Sequence, residues 1–183
     1  MINDMFSHLD WLPTFLAAAG EPDISAELKK GHRAGNKTFK VYLDGYNQTD
    51  LLSGKGPGQR TNIFYFDDNA NFNAIRWNDW KIYFGAQWDG WGGPREAFNF
   101  PRVVNLRTDP YETSLDSSLY SRFFADQMWL FVPTQQEVGK WLMTFREFPP
   151  RQATASFTID LMMQRLQQML QMKAMGAAQQ GKN

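Results

Sequence analysis

Residues 73–84 read N-A-I-R-W-N-D-W-K-I-Y-F. Two runs rich in β-branched and aromatic side chains flank the polar pair Asn78-Asp79, and a two-residue break between such runs marks a tight β-hairpin. Side chains alternate faces along a strand, so Phe72, Ala74 and Arg76 should point one way and Asn73, Ile75 and Trp77 the other. On the return strand, Trp80, Ile82 and Phe84 oppose Lys81 and Tyr83. A ribbon this apolar needs cover, and one face is expected to carry a helix.

Working outward, T-N-I-F-Y-F at 61–66 and the polar turn D-D-N-A-N at 67–71 supply a preceding strand. V-V-N-L at 103–106 supplies a fourth, stopped by Asp109-Pro110. Between them, 85–102 is so rich in Gly, Pro and aromatics that it reads as one long loop, a lid or a binding loop. Helical spacing resumes over 116–131, and Pro133-Thr134 can start a second helix through Phe145, ended by Pro149-Pro150. The predicted fold class is therefore α+β: an antiparallel sheet of about four strands with packed helices.

At the N-terminal end, Pro13 is harmless only in a first helical turn, so Asp10 is expected to cap a helix over 11–19. Leu12, Phe15, Leu16 and Ala19 then share one face, and Gly20 follows the last turn. Residues 21–40 are polar, with a short helix at 25–30 ended by Gly31. Val41-Tyr42-Leu43 leads to a turn at Asp44-Gly45, and Thr49 is expected to cap a single turn over 50–53. The loop G-K-G-P-G at 54–58 lacks the Gly-Lys-Ser/Thr of a phosphate-binding loop and reads as a turn. Near the C-terminal end, Ile159, Met162, Leu166, Met169 and Leu170 fall at helical spacing, predicting a packing stripe on an amphipathic helix and then a frayed tail.

Composition narrows the function classes. The 183 residues balance 19 Lys and Arg against 19 Asp and Glu, so the basic footprint of nucleic-acid or anionic-membrane binding is missing. No run approaches the roughly 20 apolar residues that span a bilayer, and the first residues lack a basic, apolar leader. As written the chain is expected to be soluble and unexported, with an abrupt start like that of a piece cut from something longer. Zero cysteines rule out disulfides, thiolate metal sites and cysteine nucleophiles, and leave the compartment open. The sequons at Asn36 and Asn47 read as chance without a leader.

Catalytic constellations are scarce. The two histidines, His8 and His32, form no triad or metal spacing; His8 is expected at a helix start and His32 in a solvated loop. Asp67-Asp68-Asn69 reads as a hairpin turn rather than a calcium loop. Arg76, Trp77, Trp80, Lys81, Trp88, Trp91, Arg95 and Arg102 alternate charge with flat rings, a composition suited to sugars or anionic esters as well as to sheet core with snorkelling stems. Within it Trp88, Trp91, Arg95 and Arg102 are the substrate-lining candidates. No residue is assigned a catalytic or metal-binding role.

The order of motifs resembles the C-terminal part of the arylsulfatase family. It runs from S-H-L-D-W-L-P-T at 7–14, through A-A-G at 18–20, to L-D-G-Y-N-Q-T-D-L-L-S-G at 43–54. A-I-R-W-N-D-W-K-I at 74–82, N-L-R-T-D-P-Y-E at 105–112 and F-R-E-F-P-P-R-Q at 145–152 follow. The resemblance implies a terminal subdomain of about four antiparallel strands with a helix, preceded by the last helix of a large α/β domain. On that basis 1–20 is that last helix, with an apolar face partly exposed or covered by the C-terminal helix; 21–60 is a connector, 61–156 the sheet subdomain, and 157–183 the terminal helix and tail.

Arylsulfatases cleave sulfate esters with a formylglycine made from a C/S-x-P/A-x-R motif and a calcium ion. This sequence lacks that motif; the nearest string, Ser118 to Arg122, has Tyr120 where Pro or Ala belongs. The resemblance thus implies a fragment without its own nucleophile or metal site, partnered by a sulfatase N-terminal domain or a sulfatase chain, with a sulfate ester as substrate of the whole and a parent enzyme compatible with a periplasmic or secreted location. The rival readings are a stand-alone module binding aromatic or sulfated sugars and an interaction domain docking on a sulfatase.

Overall fold

The computed structural model describes residues 2–90 and 92–149. The expected hairpin is the centre of a four-stranded antiparallel sheet of order β3-β4-β5-β6, formed by β3 (Asn62–Phe66), β4 (Phe72–Trp77), β5 (Trp80–Ala86) and β6 (Glu96–Asn105). Trp77 pairs with Trp80, Ile75 with Ile82 and Ala74 with Tyr83. The fold is α+β. At the tight turn only Asn78 has positive φ, 52°, so the pair departs from a type I′ turn, which needs both central residues there.

Alternation along the strands divides the sheet into two apolar layers. Ile75, Ile82 and Val103 are sealed under Leu130 and flanked by Trp80, Phe84, Phe131 and Val138. Phe72 joins this layer although strict alternation puts it with Ala74; it stands at the strand's first position, where the pleat is free to turn. The opposite layer holds Ala74, Tyr83, Ala86 and Val104 beneath Tyr65, Phe98, Leu106 and Leu115. The covering helix on the first face is α5 (Phe131–Glu147), whose Trp141 stacks on Phe64 at 4.7 Å between ring centres. The expected helix over 116–131 is broken into a 3-10 turn at Thr113–Asp116, α4 (Tyr120–Asp126) and a 3-10 turn at Met128–Leu130. The break at Gln127 turns Leu130 down into the core.

Half of the expected loop over 85–102 is strand. β5 continues to Ala86 and β6 begins at Glu96, leaving a connection of only nine residues. Four β6 residues, 98–101, stand opposite the single residue Phe84. Pro101 lies in this irregularity on an edge strand, where its missing N–H breaks no ladder. Gly85 is needed there, because a Cβ would come within 2.8 Å of the Glu96 carbonyl oxygen. At Val103 the outward N–H donates to the Tyr120 hydroxyl, which in turn donates to the Val103 carbonyl.

Toward the N-terminus, α1 (Trp11–Ala18) follows a 3-10 turn at His8–Asp10. Asp10 holds the N-cap position of α1, but its side chain makes no capping bond there; the capping box belongs to the preceding turn, where the Ser7 hydroxyl accepts from the Leu9 N–H and the Asp10 carboxylate accepts from the Ser7 N–H. Pro13 and Thr14 are buried, whereas Leu12 and Phe15 are 53% and 63% exposed. The apolar face is therefore partly exposed, and the buried face pairs the apolar Pro13 with the polar Thr14. α2 (Ile24–Lys30) buries Ile24 and Leu28. A hairpin absent from the sequence reading, β1 (His32–Ala34) and β2 (Lys37–Phe39), turns at Gly35 with φ 60°. His32 sits on it, bonded to Glu27 at 2.8 Å, rather than in a loop. α3 (Thr49–Leu52) is capped by Asn47, whose side chain accepts from both the N–H and the hydroxyl of Thr49, rather than by Thr49 itself.

The segment Phe66–Asn71 groups apart from the main body by chain packing. Within it Asp67 accepts from the Asn69 and Asn71 N–H groups and from the Asn71 amide, so its oxygens serve the turn. The helix expected over 157–175, Trp91 and Pro150 lie outside the described residues.

Candidate functional site

Three places gather chemistry-bearing side chains. The first joins the N-terminal motif to the 43–54 motif. Asp10 is 0% exposed and Arg60 6%, and the two make a bidentate ion pair, Nε to Oδ2 at 2.8 Å and Nη2 to Oδ1 at 2.6 Å. Asp10 also accepts from the N–H groups of Tyr46 and Ser7 and from the Gln48 amide. Burial alone would raise its carboxyl, but the Arg60 and backbone hydrogen bonds outweigh that and hold it below the ordinary value. Arg60 spends its remaining donors on the carbonyls of Asn62 and Asp44, and lies over the Tyr46 ring at 4.9 Å. The Gln48 N–H donates to the Thr14 hydroxyl, and the Gln48 side-chain oxygen accepts from Gln59. Gly45 is not a turn residue; it passes so close beneath α1 that a Cβ would collide with the Leu9 carbonyl oxygen. Each buried side-chain nitrogen and oxygen of this network has a partner within the chain, so the cluster reads as a structural joint.

The second place is a cleft of about 210 Å³ lined by Tyr42, Asp44, Thr144 and Phe148, among others. Loss of water around it raises the Asp44 carboxyl, with Arg60 opposing, and raises the Tyr42 hydroxyl, with Asp44 and Tyr46 adding. It is smaller than the roughly 300 Å³ at which ligand pockets begin.

The third lies on the sheet face away from α5. Lys81 bridges to Glu112 at 2.8 Å and sits over the Tyr65 and Tyr83 rings, while the Tyr83 hydroxyl donates to the same Glu112 carboxylate. Glu112 adopts left-handed backbone, φ 59°, to reach them. Beside this cluster Trp88 stacks on Phe98 at 6.0 Å and 26°, and Arg102 lies 4.6 Å over Phe98 and 5.6 Å from Trp88. Of the four substrate-lining candidates, Trp88 and Arg102 therefore come together. Arg95 is spent on the Asn73 side chain and the Phe72 carbonyl, and Trp91 is outside the described residues. Phe98 and Glu96 were missed by sequence reasoning because they fell inside the presumed loop, and the irregularity at 98–101 breaks the alternation that could have placed them.

Among the described residues no three His, Cys, Asp or Glu side chains converge as a metal ion requires. Nor is any described helix long and apolar enough to cross a membrane.

No protein-family model matches the chain, and no curated protein matches it. Among solved structures, the chain is similar to the PsFucS1 sulfatase from Pseudoalteromonas sp., at 25% identity and a TM-score of 0.48. The likeness covers 61% of this chain and 23% of that one, so the chain spans under a quarter of that sulfatase's length.

Proposed function

We propose that the chain is the C-terminal part of an arylsulfatase-like sulfuric ester hydrolase, and that it does not cleave sulfate esters by itself. The observation that carries this reading is how the motifs meet. Ser7, Asp10 and Thr14 of the first motif close on Tyr46 and Gln48 of the second through one buried network. The hairpin motif meets the 105–112 motif in the same way, through Lys81 to Glu112 and the Leu106 N–H to the Asp79 carbonyl at 2.7 Å. Motifs that interlock in pairs belong to one architecture, and a shared architecture accounts for their shared order. With those side chains engaged in structure, this reading assigns the nucleophile, the metal and the sulfate-cleaving steps to another part of the hydrolase.

The test has two arms. The purified chain should give no turnover of 4-nitrophenyl sulfate above a blank, and activity that co-purifies with it through successive columns overturns the inactive-part reading. The coding DNA upstream of Met1 should continue in frame into a C/S-x-P/A-x-R segment, and an unrelated upstream frame counts against the sulfatase origin.

A further inference from the structure

We propose that the corner formed by Trp88, Phe98 and Arg102 is a subsite for an anionic sugar ring. Arg102 lies opposite Tyr83 in the β5–β6 register, on the face away from α5. The residue is half-buried, with its guanidinium carbon 4.6 Å from the Phe98 ring centre and 5.6 Å from that of Trp88. Yet among the described residues no acceptor takes any of its N–H groups, in contrast to Arg60, Arg95 and Lys81, each of which is matched. A half-dehydrated planar fork with five free donors, already ordered by its rings, matches a sulfate or carboxylate in two-pronged fashion.

Trp88 supplies the second element. Its indole N–H is tied to Glu96 Oε2 at 3.0 Å, so the ring is held in place, and it remains 49% exposed despite resting on Phe98. A fixed, half-open aromatic face suits the C–H face of a pyranose. The other Glu96 oxygen is left for a sugar hydroxyl. Platform, acceptor and cationic fork together call for a ring that carries an oxoanion; a bare anion would engage Arg102 alone, and a neutral sugar would leave the fork empty. The choice of a sulfate ester over a carboxylate rests on the sulfatase reading above.

The test is a titration of the intact chain followed by NMR at the Trp88 indole N–H, identified by its loss in Trp88→Phe. The probes are glucose 6-sulfate, glucuronate, glucose and inorganic sulfate. A saturable shift with a charged sugar, with glucose weaker by about tenfold or more, is expected from a charged hydrogen-bonded pair. Arg102→Gln should erase that difference at unchanged melting temperature, whereas Arg107→Gln, at an exposed arginine, should keep it. No saturable shift with any sugar, equal binding of charged and neutral sugars, or an equal loss in Arg107→Gln overturns the subsite. Preference for glucuronate upholds the subsite and counts against the sulfatase reading; preference for the 6-sulfate upholds both.

Discussion

Arg60 and Arg102 each lie over an aromatic ring, yet they serve opposite ends. Arg60 is sealed between α1 and the 43–54 segment, and its donors are consumed by Asp10, Asn62 and Asp44. Arg102 sits at a half-open corner with its donors unspent. They differ in burial, and they differ further in hydrogen-bond saturation, which is the property that separates a structural from a recognition role. A buried charge whose every bond closes within the chain fixes two segments to each other, whereas one held in place but left unmatched is set for something outside.

The contrast can be broken most forcefully at the sealed end. Arg60→Met leaves Asp10 buried without its counter-ion and should cost about 3–5 kcal/mol in denaturant unfolding. Replacing Asp10 by Leu as well should recover only part of this, since the Ser7 and Tyr46 N–H groups would still lack an acceptor. A loss under about 1 kcal/mol for Arg60→Met would show that saturation is not what holds α1 in place. Next, Ile82→Ala, fully buried beneath Leu130, should cost about 2–5 kcal/mol, the usual range for a core truncation. Trp80→Ala should also destabilise the sheet, because its ring packs against Phe123 and Trp129; an unchanged melting temperature would refute its place in that core.

A smaller effect is expected in acid. The Asp109 carboxyl is held down to about 2 by hydrogen bonds from Ser114 and then Thr113. A carboxyl lowered in the folded state contributes stability that is fully present above its unfolded value of 3.8 and is lost as pH falls toward about 2. Asp109→Asn should therefore flatten the pH dependence of unfolding across that window and leave the slope at neutral pH alone. Smallest of all, Arg102→Gln should change stability by no more than about 0.5 kcal/mol, because it breaks no internal hydrogen bond. Calorimetric melting that places it nearer Arg60→Met would move Arg102 into the structural class.

The sheet was legible wherever period-two alternation coincided with β-branched and aromatic residues, as at 72–84. It was illegible at 96–102, where Pro101 and neighbouring glycines carry loop composition although the backbone is paired. The β1–β2 hairpin escaped notice because its strands are only three residues long and four of their six residues are polar. In the polar network, Asp10 was noticed as a capping residue, but its partner lies fifty positions away at Arg60, and a pair that distant leaves no local pattern. The site was half visible: Trp88 and Arg102 stood out by type, whereas the alignment that joins them to Phe98 depends on a strand register only the fold supplies.

The way β6 ends the sheet bears on what happens when many copies of the chain are crowded together. A ten-residue edge strand would ordinarily offer a ladder of free N–H and C=O groups to a neighbour's strand, the first step toward fibrous aggregates. Here Pro101 has no N–H to offer, the irregularity at 98–101 shifts the register, and the Tyr120 hydroxyl occupies both outward groups of Val103. One phenol and one imino acid thus act as a guard against self-association. Tyr120→Phe should reveal it as faster growth of light scattering at concentrations where the parent chain stays clear.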